Sequence, residues 1–406
     1  MPGGFVKPDY LVKPAVAALC FCLAPPAFAQ QGSVTLYGLV DSGIAYQTIT
    51  GADKYTQTKF GVASGMQTTA RWGLRGQEPL GNGYSLNFVV ESSLDLDTGA
   101  SLSNGRLFGL QSWVGVGKED GGYFRLGRQS GYAPEFFLQI DPFRGGLGQA
   151  RMAFAFGAAN SNTKYSNLIK LMAEPVAGLK VGVGYSFAPQ MSTFYFDGNQ
   201  AISTGSDYNF GTMNNTRLIT AGVSYASGPL TLAATYDQVM PNLNDASLPN
   251  SMSGNANIRE WIVGGKFDLG VVHLSAAIGQ NRGGVINMQG VSLTTTGKPT
   301  IDPGTWGGGQ GAMLFDPDLS FNSVMLGFTL PLGEASKIFS AWTRAANTSS
   351  TRALNSVGAQ DAYSIGYQYD FTKRTNLYAA TSYATNIGFT DNTKSFYLLT
   401  GIRHRF

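Results

Sequence analysis

Residues Lys394–Phe406 read KSFYLLTGIRHRF, and the alternation within them decides the fold. Phe396, Leu398, Thr400, Ile402, His404 and Phe406 fall on one face of an extended chain. Ser395, Tyr397, Leu399, Gly401, Arg403 and Arg405 fall on the other. Soluble domains usually trail off in frayed polar residues. Here a strand runs to Phe406, with an aromatic closing its mostly apolar face. The same two-residue period recurs in GLKVGVGYSF, where Leu179, Val181, Val183, Tyr185 and Phe187 oppose Lys180, Gly182, Gly184 and Ser186. It recurs again in DAYSIGYQYDF, where Tyr363, Ile365, Tyr367, Tyr369 and Phe371 share a face.

At the other end, Lys7 and Lys13 precede the apolar run AVAALCFCLA and then Ala27–Phe28–Ala29. A basic stretch, a short apolar core and a small-x-small site predict a secretory signal peptide over residues 1–29, cut before Gln30. The run is too short to span a membrane as a helix. Cys20 and Cys22, the two cysteines of the chain, both lie inside it. Residues 30–406 are therefore expected to be an exported, cysteine-free unit that does not rely on disulfides.

Loss of Lys7, Asp9 and Lys13 takes the formal charge from +3 to +2, which argues against a nucleic-acid partner. Charged residues are 13% of the chain, about half the usual globular share, while 53 glycines and 12% aromatics are present. No stretch after the leader is apolar enough for a transmembrane helix. This composition, with alternating segments, predicts an all-β membrane barrel whose apolar face meets lipid and whose polar face meets a wet lumen. A soluble sandwich alternates too, with the opposite sense.

Turn spacing separates the two. Short breaks fall at 79–83, 118–122, 174–178, 227–229, 268–270, 331–335 and 370–374. Between them lie longer polar stretches at about 47–65, 95–105, 130–158, 191–213, 241–257, 282–318, 346–357 and 388–393. Seven short turns alternating with eight long loops imply sixteen strands, each about 9–11 residues across the bilayer. A sandwich has no reason to gather every long loop at one end. An unpaired strand edge is costly in lipid, so the first strand, SVTLYGLVDSGIAY, is expected to pair with the last.

With these segments in place, the chain resembles the trimeric general porins of Gram-negative outer membranes, of the beta-proteobacterial type. The resemblance rests on SVTLYGLVDSG at Ser33–Gly43, ARWGLRGQEPLGNG at Ala70–Gly83, FRLGRQ at Phe124–Gln129, PEFF at Pro134–Phe137 and GIRHRF at Gly401–Phe406. It implies a homotrimer in outer-membrane lipid and lipopolysaccharide, with Phe406 read by the barrel-assembly machinery. It further implies that the loop at 95–105 latches onto the neighbouring barrel near Arg128.

A barrel of this size encloses an aqueous lumen whose narrowest point sets selectivity. In ARWGLRGQ, Trp72 and Leu74 suit lipid, which turns Arg71 and Arg75 inward. Counting from the short turns places Arg71, Arg106 and Lys164 near mid-barrel, with Arg106 opening a strand GRLFGLQSW. The connection SGYAPEFFLQIDPFRGG is unusual in carrying Phe136, Phe137 and Phe143 with Glu135 and Asp141, so it is expected to fold back on the barrel. The resemblance implies that this third loop enters the lumen and forms the constriction. On that reading Arg71, Arg75 and Arg106 form a basic wall, with Lys164 beside them, and Glu135 and Asp141 face it as the acidic side. Two departures from the family pattern stand out. Phe137–Leu138–Gln139 intervene before Gly145–Gly146, and Ala158 stands where the family places an arginine, leaving Arg151 or Lys164 to substitute. Arg144 adds positive charge on the loop. The phenylalanines either narrow the throat or anchor the loop.

Catalysis finds little support, since His273 and His404 are the only histidines. They provide no metal cluster, and a lipid-facing Ser–His pair would have to use one of them. GGGQG near Gly307 lacks the Lys-Ser/Thr of a phosphate loop. No cofactor is implied. The sequence thus predicts a passive, mildly anion-selective channel for small hydrophilic solutes. The alternatives are a porin selective for aromatic or organic acids, and an adhesin or receptor barrel using the long loop at 282–318.

Overall fold

A computed structural model of the chain describes residues 32–51, 54–103, 105–196, 201–205, 215–242, 257–288, 312–349 and 358–406. The expected leader at 1–29, the GGGQG stretch and most of the expected loop at 282–318 lie outside these residues.

Among the described residues, nineteen strands form one sheet. They are β1 (Ser33–Thr50), β2 (Thr56–Ser64), β3 (Arg71–Gly81), β4 (Tyr84–Ser93), β5 (Gln111–Lys118), β6 (Gly122–Gln129), β7 (Tyr165–Val176), β8 (Leu179–Ser186), β9 (Ser192–Phe196) and β10 (Ala201–Gly205). They continue with β11 (Arg217–Ser227), β12 (Leu230–Met240), β13 (Ile258–Asp268), β14 (His273–Ile286), β15 (Ala312–Leu332), β16 (Ser336–Asn347), β17 (Ala359–Asp370), β18 (Thr375–Thr385) and β19 (Lys394–Arg405). A short helix, α1 (Tyr132–Phe137), lies between β6 and β7.

The wall is a closed antiparallel barrel of sixteen strands. β2 and β3 pair in succession with the same long β1 and act as one wall strand. β9 and β10 form a separate hairpin, and β8 pairs directly with β11 across its base. The hairpin meets β15 in a parallel pairing, the only one among the described residues. Closure runs from Leu39↔Arg405 to Thr50↔Lys394 between β1 and β19. The ladder continues to the final residue, where Phe406 N–H donates to Gly38 O (3.0 Å) and Gly38 N–H to Phe406 O (3.2 Å).

The polarity is inverted, as lipid demands. Val34, Leu36, Val114, Leu126, Leu171, Val183, Ile278, Leu326, Ile365 and Leu398 are exposed on the outside. Tyr363, Tyr383 and Phe396 gather near one end of this face, and Tyr369 and Phe371 near the short-turn end, as interfacial aromatics do. Inside, Asp41, Glu91, Lys170, Asp237, Glu260, Gln360 and Ser395 are buried beneath inward-folded chain.

Two expectations need correction. The stretch at 47–65 is mostly strand, because β1 reaches Thr50 and β2 begins at Thr56. Backbone pairing needs no apolar face once the hairpin projects beyond the membrane, so TQTKFG pairs despite its polarity. The wall is instead interrupted at 65–70, where the chain turns inward and Asp41 Oδ2 accepts the N–H groups of Gln67 (2.9 Å) and Thr68 (2.6 Å). Finally, Arg106 does not open a strand. It lies in the connection at 94–110, and β5 starts only at Gln111.

Gly38 lies where the first strand, the last strand and β3 meet. A Cβ there would come within 2.5 Å of Arg71 O and 2.6 Å of the Phe406 ring. Gly61, on β2, has open space. Gly38→Ala is expected to destabilise the barrel by about 1–3 kcal/mol, the usual cost of overpacking, whereas Gly61→Ala is neutral. Urea titration of the folded, heat-modifiable band in detergent measures both.

Candidate functional site

The third long connection, residues 130–164, turns into the barrel and lies against the inner wall around much of its circumference. Its seats follow from chemistry. Tyr132 N–H donates to Thr220 Oγ1 (3.0 Å) on β11, and Tyr132 OH to Leu171 O (2.6 Å) on β7. Gln149 and Ala150 N–H donate to Ser364 Oγ on β17 (3.2 and 2.8 Å), and Gln149 Nε2 to Ser395 Oγ (2.8 Å) on β19. Phe154 O accepts from Gln360 Nε2 (2.6 Å), and Ala155 O from Ser323 Oγ (2.6 Å). Ala158 N–H donates to Glu260 Oε2 (3.0 Å) on β13, and Leu147 N–H to Met66 O (2.8 Å) in the wall break. Small hydroxyl residues on the inner wall serve as sockets for loop backbone that would otherwise be buried without partners.

The loop phenylalanines anchor it. Phe136, Phe137 and Phe143 are 2%, 1% and 3% exposed, so they do not line the passage. Phe136 packs on Tyr132 (ring centroids 5.2 Å) and Phe143 meets Phe339 of β16 edge-on (5.0 Å). With Ile140, Met152 and Phe156, Phe136 and Phe137 join an apolar core that includes Met313, Phe315, Phe321 and Phe389, while Phe143 joins a second one with Leu147, Phe154 and Phe339. Burying each phenylalanine contributes about 1.5–3 kcal/mol, enough for a handful of them to hold the loop in one position.

The basic residues divide. Arg71 and Arg75 both point inward from β3. Arg71 Nη1 pairs with Glu91 Oε1 on β4 (3.2 Å), and its Nε donates to Thr69 O (3.1 Å). Arg75 has its guanidinium 5.3 Å from the centre of the Tyr37 ring and is exposed to the lumen. Tyr37 OH in turn donates to Glu91 Oε2 (3.0 Å). Lys164 ends the loop, its Nζ held by the carbonyls of Ser161 and Thr163, with the charges of Arg71, Glu91 and Arg128 acting on it. Burial, with Arg71 nearby, pushes the Lys164 ammonium down to about 7. Arg106 lies off β3, on the side of Arg128, its guanidinium donating to Gln190 O (3.4 Å) in the connection after β8. Local counting misplaced it because the residues that follow it are loop rather than strand.

The two loop carboxylates are each already engaged. Glu135, on α1, pairs with buried Lys170 of β7 and accepts from Tyr123 OH (2.9 Å). Asp141 is 4% exposed and accepts N–H groups from Phe143 (2.9 Å), Gly145 (3.0 Å) and Met152 (3.2 Å). Burial holds the Asp141 carboxyl above its usual range, despite those donors and Arg151 beside it. Asp141 organises the loop and is not presented to the passage. Arg151 is buried as well, with Nη1 donating to Gly145 O (2.9 Å). Arg128 is bound within its own subunit, to Gly109 O (2.6 Å), Lys164 O (3.2 Å) and Ser166 Oγ (3.0 Å).

Sequence reasoning missed Glu91, Lys170 and Arg125. All three alternate onto the polar face of their strands, and that signal was available. Their partners belong to other strands or to the loop, so no local spacing pointed to them.

Asp141→Ala leaves three buried loop N–H groups without an acceptor. The expected result is a loop looser by about 2–5 kcal/mol, read as larger and noisier single-channel conductance in bilayers. Unchanged conductance and noise would contradict this role.

Comparison with known proteins agrees with the geometry. A family model for Gram-negative porins matches residues 15–388. An outer membrane porin protein of Bordetella pertussis is 36% identical over 400 residues, covering 96% of this chain and 98% of that protein. Outer membrane porin protein 32 of Delftia acidovorans is 27% identical, covering 92% and 90%. Among solved structures, an anion-selective porin from Comamonas acidovorans superposes with a TM-score of 0.63 at 22% identity, covering 93% of this chain and all of that one. A closed sixteen-stranded wall, a loop folded into its lumen and this likeness along nearly the whole chain place the protein in the Gram-negative porin family, as an outer-membrane porin.

Proposed function

We propose that the protein is a passive diffusion channel for small hydrophilic solutes, with a preference for anions. The observation that carries this reading is the pattern of charge pairing. Arg71 is offset by Glu91, and Glu135 by Lys170. Arg75 and Arg125 remain on the lumenal face stacked on aromatic rings, and the carboxylate that also acts on Arg125, Glu135, is already paired with Lys170. Lys337, Arg144, Arg403 and Arg405 form a second basic neighbourhood, offset by Asp370 and Asp41. Fixed charges act over about 8–10 Å at physiological salt, so a local cationic surplus governs permeation even with a near-neutral chain. The Comamonas protein, called anion-selective, supports the same direction.

The test is the reversal potential in a KCl gradient. Wild type should favour chloride, less so as salt rises, and less so as pH rises through about 7, where Lys164 gives up its proton. Glu91→Gln frees Arg71 and should strengthen the preference, whereas Arg75→Glu should weaken or reverse it. A cation-selective wild type would refute the reading.

We also propose that residues 1–29 are removed on export and that the native state is a homotrimer in contact with lipopolysaccharide. Phe406, half exposed on the outer face of the seam, is proposed as the residue read by the barrel-assembly machinery. Because Arg128 is satisfied within its own subunit, the loop at 95–105 of a neighbour would meet the surface beside Arg128, where Leu107 is 66% exposed, and not the guanidinium. In unheated detergent gels a band near three times the monomer mass is expected, and Leu107→Asp should weaken it. A monomer in mild detergent argues against the trimer.

A further inference from the structure

Below the loop, toward the short turns, the lumen opens into a cavity of about 740 Å³. Trp113, Tyr123, Arg125, Gln77 and Asn87 line one side of it. The Arg125 guanidinium lies 3.6 Å from the centre of the Tyr123 ring and 4.3 Å from that of Trp113. Register explains the clip. Tyr123 is two residues before Arg125 on the same face of β6, and Trp113 of β5 sits opposite Gly127, two residues after it. Arg125 itself is opposite Gly115, where a Cβ would come within 2.8 Å of its Cγ, so a side chain at that position would displace it.

Both rings are held in place. Trp113 Nε1 donates to Gln111 Oε1 (2.8 Å), and Tyr123 OH to Glu135 Oε1 (2.9 Å). Glu135, the nearest loop carboxylate, already pairs with Lys170. At the turn end of the cavity, Glu174 Oε1 accepts Gly178 N–H (2.9 Å), while Glu119 and Asp120 stand on the turn itself. Among the described residues no carboxylate or carbonyl takes a hydrogen bond from Arg125. A guanidinium stacked on aromatic faces keeps its charge and leaves its N–H edge free, and that fork matches a carboxylate in planar, two-point contact.

We infer that Arg125, fixed between Trp113 and Tyr123, is a binding subsite for small organic carboxylates on the turn side of the constriction. It binds anions after or before the throat, holding them weakly enough to leave, as conduction requires. The assignment deepens the anion-channel reading and rests on it for the route by which the solute arrives. The fork distinguishes it from a merely positive wall. A lysine at this position keeps the charge and loses the bidentate geometry.

The experiment uses the full-length protein in planar bilayers, with sodium succinate as the probe added from the short-turn side during chloride conduction. Succinate should reduce the wild-type chloride current in a saturable way. Arg125→Gln should raise the half-blocking concentration at least tenfold, and Arg125→Lys at least threefold. Absence of block in the wild type overturns the subsite, as does unchanged block in Arg125→Gln. Full block in Arg125→Lys overturns the fork, and that conservative variant still reports if the glutamine variant fails to insert. The KCl reversal potential of the wild type is read on the same membranes. A cation preference with succinate block intact refutes the general anion reading and leaves the subsite standing. An anion preference with block unaffected by Arg125 refutes the subsite alone.

Discussion

Every backbone N–H and C=O in the membrane-spanning wall has to find its partner within the wall, because hydrocarbon offers none. The rest of the architecture follows from that constraint. It closes β1 on β19, carries the ladder to the Gly38–Phe406 pair, and permits an interruption at 65–70 only because the freed N–H groups turn inward to Asp41. The exterior is then free to be apolar, and the polar residues are left to the lumen.

A lumen this wide would be featureless without the third loop. The loop supplies the core that a soluble protein would have at its centre, with Phe136, Phe137, Phe143 and Phe156 buried against the inner wall. Its backbone is seated on serine, threonine, glutamine and glutamate side chains from several strands. The constriction is thus determined by packing and hydrogen bonding together, and a solute meets a fixed shape.

Electrostatics in the passage depends on pairing more than on composition. Arg71 and Glu135 look like opposing charges across a throat when read in isolation. In the fold each has a closer partner, Glu91 and Lys170 respectively. Arg75 and Arg125 instead lie against aromatic rings, which orient a guanidinium without neutralising it. Such residues keep most of their influence on passing ions.

The sequence by itself determined the class of fold, the strand count, the seven short turns, the inward sense of Arg71 and Arg75 and the folding back of the third loop. Each rests on a period of two, on local turn chemistry or, for the loop, on phenylalanines clustered in one short stretch, and these signals lie between near neighbours in the chain. It did not determine the extension of β1 and β2 beyond the expected boundary, since polar strands above the membrane carry no apolar signature. It placed Arg106 on a strand that begins only at Gln111, and it assigned Asp141 to the passage when the carboxylate is used by the loop backbone. Only the tertiary structure decided which charges are cancelled and which remain available. That decision depends on pairs such as Lys170–Glu135 and Trp113–Arg125, whose members are set by strand register and by where the loop comes to rest. Register and loop position result from closing the whole ring of hydrogen bonds, which no short stretch of the chain encodes alone.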